Sequence, residues 1–151
     1  MASLPPVPPN SIPEIWRKSP LPLSAGKDVV VYRGFADKVH VKKATIVNAN
    51  DLQGGQVSRN VDAAHDAVFN QYGRDPILNG PDSGGVVMVR IPAKTWDELV
   101  RTNSISERPY YGFSRRLNST EIRVNSVAAA RLINSLPKEV LPANSKYDFR
   151  P

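Results

Sequence analysis

The sequence predicts a small α+β domain, and three observations carry that expectation. Runs rich in β-branched residues with period-two alternation recur at 28–35, 85–91 and 121–124, each of strand length. Short stretches with helical spacing of apolar residues lie between and after them. The elements do not repeat as strand, helix, strand, so a parallel α/β sheet is disfavoured. At 151 residues, with 40% hydrophobic and 23% charged residues, the composition is that of an ordinary globular chain. A chain of this size buries roughly 68 to 70% of its unfolded surface, so a core forms without covalent staples.

Seven of the 14 prolines lie between Pro5 and Pro22. Fixed φ angles and missing N–H donors there exclude a long helix or a central strand. Residues 1–26 are therefore expected to be an extended leader or linker, with Ile12, Ile15 and Trp16 able to pack as a short element on the domain. The folded part is expected over 27–142, followed by a polar tail at 143–151.

Within the domain, Asp28 to Phe35 reads as a strand with Val31 and Arg33 on one face and Val30 and Tyr32 on the other. Val39 to Val47 is a weaker strand region. Val61, Ala64, Val68 and Tyr72 recur at helical spacing behind Asn60, a good N-cap. Gly85 to Ile91 is a strand with Val87, Val89 and Ile91 facing one way, and Pro92 ends it. Thr95 and Glu98 have the spacing of a capping box for a short helix carrying Trp96, Leu99 and Val100. Glu121 to Val124 is a strand with Glu121 and Arg123 on one face, and Ser126 caps a helix that runs through Leu136 to Pro137.

Composition narrows the chemistry. There are no cysteines, which removes disulfides, thiolate metal sites and cysteine nucleophiles. His40 and His65 are the only histidines, neither has metal-ligand spacing, and no metal is expected. No apolar run reaches membrane-spanning length and no secretion signal opens the chain, so no membrane span is expected. A net charge of +6 favours anionic partners: nucleotides, nucleic acid or an acidic inhibitor protein. No Gly-rich phosphate loop with its lysine, no Gly-x-Ser-x-Gly and no His-Glu-x-x-His is present.

Three segments matter together: Val31-Tyr32-Arg33-Gly34; Gly54-Gly55-Gln56-Val57-Ser58 leading into a helix; and Ser119-Thr120-Glu121-Ile122-Arg123-Val124. Their order resembles the Arg, Ser, Glu pattern of ADP-ribosyltransferases, in particular the toxin domains of bacterial polymorphic toxins and secretion-system effectors. The resemblance covers about Val29 to Pro137, with the strand Val86-Val87-Met88-Val89-Arg90-Ile91 between the last two motifs. It implies a split, mixed or antiparallel sheet with short helices around a cleft for NAD, which is substrate rather than resident cofactor.

By that resemblance Arg33 holds an NAD phosphate or ribose, where its alternative is a surface pair with Asp28 or Asp37. Gly34 lets the backbone approach the nicotinamide amide, or is a simple turn glycine. Ser58 reaches the ribose or orients the glutamate, or is only a helix-start cap beside Asn60. Glu121 stabilises the oxocarbenium character that develops as the nicotinamide–ribose bond breaks, against an ion pair with Arg123 or Arg90. Tyr32, Phe69 and Tyr72 are candidates for the nicotinamide pocket, with core packing as the competing use.

Arginine-modifying members of that family carry a second glutamate two residues before the catalytic one, where this chain has Ser119. The preceding segment, with Tyr110, Tyr111, Arg115 and Arg116, corresponds to the acceptor-recognition loop and suits an RNA or DNA acceptor as well as a protein. The resemblance also implies delivery within a larger secreted toxin, action in the target-cell cytoplasm and a cognate immunity protein. Two other classes remain open: a metal-independent ribonuclease using His40 or His65 with Arg33 or Lys42, and a non-catalytic nucleic-acid-binding module.

Overall fold

The computed structural model describes residues 4–17, 21–37, 46–47, 57–74, 83–113, 115–147 and 149. In chain order the elements are β1 (Val29–Asp37), α1 (Val61–Asp66, continued by a π-helical turn Ala67–Gln71), β2 (Ser83–Ile91), α2 (Ala93–Arg101), β3 (Ile105–Tyr110), β4 (Ser119–Val124), α3 (Val127–Ser135) and β5 (Lys138–Leu141). Short 3-10 turns lie at Pro9–Ser11, Glu14–Trp16 and Ser145–Tyr147. The result is an α+β domain whose sheets are both antiparallel.

Strand alternation explains how the sheets pack. β1 pairs with β2 from Val29 opposite Ile91 to Asp37 opposite Ser83, and β5 pairs on the other edge of β2. Val31, Val87, Val89 and Ile91 point from this sheet into the main core, where they meet Trp96 and Leu99 of α2 and Ala129, Ala130 and Ile133 of α3. Val86, one residue out of phase, points to the opposite face and packs with Ala64, Val68, Phe69 and Tyr147. Each fully buried aliphatic or aromatic side chain contributes about 1.5 to 3 kcal/mol over leaving it in water. The second sheet is the β3–β4 hairpin, in register from Ile105 opposite Val124 to Tyr110 opposite Ser119. Its Ile105, Ile122 and Val124 join the main core.

Two expected caps form. The Asn60 side chain accepts from the Asp62 N–H at 2.9 Å, and Ser126 Oγ accepts from the Ala129 N–H at 3.1 Å. The Thr95–Glu98 capping box does not: α2 starts immediately after Pro92, which places Thr95 inside the helix. The Ala93 N–H is instead taken by Asp28 across the strand–helix junction, and Glu98 accepts from the Leu4 N–H at 2.7 Å. Of the weak strand region at 39–47, only Ile46 and Val47 fall among the described residues, and both are buried.

The described part of the Pro-rich leader, 4–17 and 21–26, carries the two 3-10 turns and packs against the domain. Leu4 and Leu21 enter the main core, while Val7, Ile12 and Trp16 form a small cluster of their own. Ile15, expected to pack with Ile12 and Trp16, is exposed. The Trp96 indole N–H, which needs a partner once buried, donates to the Pro22 carbonyl at 2.9 Å. At the other end Tyr147 is buried, stacks on His65 and donates its hydroxyl to the Asp62 carboxylate.

The two sheets are joined by two residues. Val57 bridges to Ile122 of β4 and Ser58 bridges to Tyr32 of β1, so the main chain at 57–58 is shared between the sheets. Directly above, α1 crosses β1 at Gly34. A methyl group there would sit 2.4 Å from the Ala64 carbonyl oxygen and 3.0 Å from Val68 Cγ2. The glycine is therefore required by helix-on-strand contact and is neither a turn residue nor free to take a side chain. Gly34→Ala is expected to destabilise the domain by about 1 to 3 kcal/mol, because backbone must move to admit the methyl. Urea denaturation checks this, and an unchanged midpoint would mean that α1 stands off β1.

Candidate functional site

Where the sheets part, they leave a cleft of about 270 Å³. Its floor is Tyr32, Arg33 and Gly34 of β1 with Val57 and Ser58 of the bridge. One wall is the small-residue face of α1 and the turn after it: Ala63, Ala64, Ala67, Gln71 and Tyr72. Tyr110 of β3 and Glu121 of β4 close the other side. Arg33, Ser58 and Glu121, far apart in sequence, thus line one cavity. Gly54, Gly55 and Gln56, expected with Ser58, lie outside the described residues.

Arg33 is half-buried, and desolvation lowers its pKa from the usual arginine value, opposed only by the Tyr72 field. Its Nη1 donates to the Ile46 carbonyl at 2.8 Å, and its guanidinium lies 4.9 Å from the Phe35 ring centroid. Ile46 is held in turn through Val47, whose N–H and C=O are both engaged by the Asn134 amide of α3. Asp28, one expected partner, accepts from Ala93 instead; the side chain of Asp37, the other, lies outside what is described, and no described carboxylate side chain pairs with Arg33. A partly buried cation whose partners among the described residues are a carbonyl and a ring face has capacity left for an anion.

Ser58 is buried, and its hydroxyl proton is committed: Oγ donates to the Thr120 carbonyl at 2.5 Å and accepts from the Asn60 N–H at 3.0 Å. Its two hydrogen bonds are structural ones, to the start of α1 and to β4. It ties the start of α1 to the bridge, and it fixes the β4 backbone one residue before Glu121.

Glu121 is mostly covered, with 13% of its side chain exposed. The ion pair it makes is with Arg108, not with Arg123 or Arg90. Arg108 stands directly opposite it across the β3–β4 hairpin. Both contacts fall on one oxygen: Arg108 Nε donates to Oε1 at 2.6 Å and Nη2 reaches the same atom. Arg123 instead donates to Asn125. The Arg108 guanidinium is itself stacked on the Trp16 ring, 4.3 Å from its centroid. Nothing in the linear sequence marks Arg108; the signal was the hairpin register, which Pro109 obscures.

The other candidates divide. Tyr32 and Tyr72 line the cleft, whereas Phe69 is buried in the smaller core and does not. Tyr110 is strand, not loop, and lines both the cleft and a second groove of about 460 Å³ shared with Ile15, Arg108, Tyr111 and Arg115. Tyr111 and Phe113 are exposed, and their loop is tied to α1 by the Phe113 N–H, which donates to buried Asp66 at 2.5 Å. Arg116 stacks on Phe149, and Ser119 is buried facing a shallow depression beside the bridge.

His65 is buried against Tyr147, with Nδ1 unpartnered and its pKa lowered by desolvation, and it does not reach the cleft. His40 and Lys42 lie outside the described residues. Among the described residues, no three acidic or histidine side chains gather as a metal site, and no helix is long and apolar enough to cross a membrane. Comparison with family models, with curated proteins and with solved structures gives no match to this chain.

Burial, with the Asp66, Glu121 and Tyr72 fields adding and Arg108 opposing, pushes the Tyr110 phenol up to about 12 from the ordinary 10.0. A raised acid pKa contributes stability that is complete below pH 10.0 and lost as pH rises toward about 12. The alkaline absorbance titration of the wild type minus that of Tyr110→Phe should place the missing phenolate step near the upper figure. A step near the lower one would put the ring in solvent.

Proposed function

We propose that this domain is a mono-ADP-ribosyltransferase of the Arg, Ser, Glu type, which cleaves NAD, releases nicotinamide and transfers ADP-ribose to a macromolecule. The observation that carries this reading is the convergence of Arg33, Ser58 and Glu121 on one cleft from three separate segments. The motif order was the premise of the resemblance; the shared cavity is independent of it.

The cleft is at the small end of ligand pockets and suits the nicotinamide–ribose end of NAD, with the rest of the dinucleotide running outward. Arg33 takes a phosphate, for which its uncompensated guanidinium is suited. Tyr32 and Tyr72 offer ring faces to nicotinamide. Glu121 accepts from a ribose hydroxyl and stabilises the positive charge that builds on the ribose as the bond to nicotinamide lengthens. Ser58 acts through the strand, since its hydroxyl is spent on the Thr120 carbonyl.

The acceptor on this reading is a nucleic acid. Ser119 supplies no carboxylate to orient and deprotonate a guanidinium, so arginine side chains are poor acceptors. The groove beside the cleft carries Tyr111 for stacking and Arg115 for phosphate. Arg116, engaged with Phe149, is the lesser contributor. Delivery within a larger bacterial toxin, action in a target cell and neutralisation by an immunity protein follow from the same proposal. The ribonuclease alternative gains nothing from His65, which is covered by Tyr147 and away from the cleft.

Glu121→Gln should lower nicotinamide release by two or more orders of magnitude, about 3 kcal/mol of lost charge stabilisation, while leaving NAD binding nearly intact. Arg33→Ala should weaken NAD binding, read by calorimetry; equal affinity in the two proteins would remove Arg33 from the site. His65→Gln should leave toxicity in place, and its loss in a protein that still folds would revive the ribonuclease.

A further inference from the structure

We infer that Arg108, steadied by Trp16 of the Pro-rich leader, is the positioning residue for Glu121, so that the leader takes part in catalysis without touching substrate. The inference rests on the transferase reading. Three observations carry it. Arg108 and Glu121 are direct cross-strand partners, so their side chains leave neighbouring strands side by side. Both guanidinium contacts land on Oε1, and no described residue donates to Oε2, which leaves one carboxylate oxygen for a ribose hydroxyl at the cleft. Trp16, nearly fully buried, covers the guanidinium with its ring.

A long arginine side chain at a hairpin edge ordinarily samples many rotamers, and an ion pair with it would wander. Stacking on a fixed indole removes that freedom, and the arginine in turn fixes the carboxylate rotamer. Catalytic groups need such support, because a displacement of the order of 0.5 Å already degrades function. Arg108 lines the neighbouring groove and not the cleft itself, so it reaches the reacting atoms only through Glu121.

The test measures kcat and KM for nicotinamide release from NAD by the full chain and its variants, with thermal melts to show folding. Arg108→Gln keeps a donor but loses the charged fork, and kcat should fall about tenfold or more with KM for NAD changed less than about twofold. Trp16→Phe keeps a ring face and should stay near wild type, while Trp16→Leu fills the space without one and should lose at least about threefold in kcat. Wild-type or higher kcat in Arg108→Gln overturns the inference, as does a raised KM with kcat unchanged. Equal behaviour of Trp16→Phe and Trp16→Leu would reduce Trp16 to packing and remove the leader from the scheme. If wild type and Glu121→Gln release nicotinamide equally, the transferase reading itself fails, and the inference falls with it. An active wild type, an inactive Glu121→Gln and an unimpaired Arg108→Gln would sink the inference alone.

Discussion

Everything at the site hangs on the two residues that join the sheets. Val57 exchanges both backbone hydrogen bonds with Ile122, and Ser58 exchanges both with Tyr32. A connection of two residues is too short to continue either sheet, so β1 and β4 diverge on either side of it and a cavity opens between them. The same shortness keeps Arg33, one residue after Tyr32, and Glu121, one residue before Ile122, within one cavity. The Ser58 hydroxyl adds a further tie to Thr120, so the spacing between the two charged residues is set mainly by backbone.

The two charges are treated in opposite ways. Arg33 is pulled from water, and its partners among the described residues are a carbonyl and a phenyl face. Glu121 has its countercharge already, in Arg108. The cleft thus has a guanidinium at one end and a held, partly neutralised carboxylate at the other. On the proposed reading, that arrangement suits a ligand with an anionic end and a reaction that develops positive charge at the opposite one.

The sequence made the regular elements legible wherever one face is buried. β2, with Val87, Val89 and Ile91 in the core, and α3, capped by Ser126, follow directly from patterning and cap chemistry. β3 was hidden because Ser106, Glu107, Arg108 and Pro109 read as loop; proline is tolerated there because a two-stranded hairpin has only edge strands. β5 was hidden because it is short and exposed, paired through backbone and not through an apolar face. Arg33, Ser58 and Glu121 were visible through motif order. Arg108, Asn134 and the reason for Gly34 were not, since each depends on a neighbour brought near by tertiary packing: a cross-strand partner, Val47, and the Ala64 carbonyl.

The leader also bears on where the chain can be cut. Leu4, Val7, Ile12, Trp16 and Leu21 are all buried, and Leu4 and Leu21 share the core of Val31 and Trp96. A truncation at residue 27, where the proline-rich composition ends, would strip these side chains away. It would leave Trp96 without its hydrogen-bond acceptor and Arg108 without its platform. The change of composition at residue 27 is therefore not a boundary of the packed core.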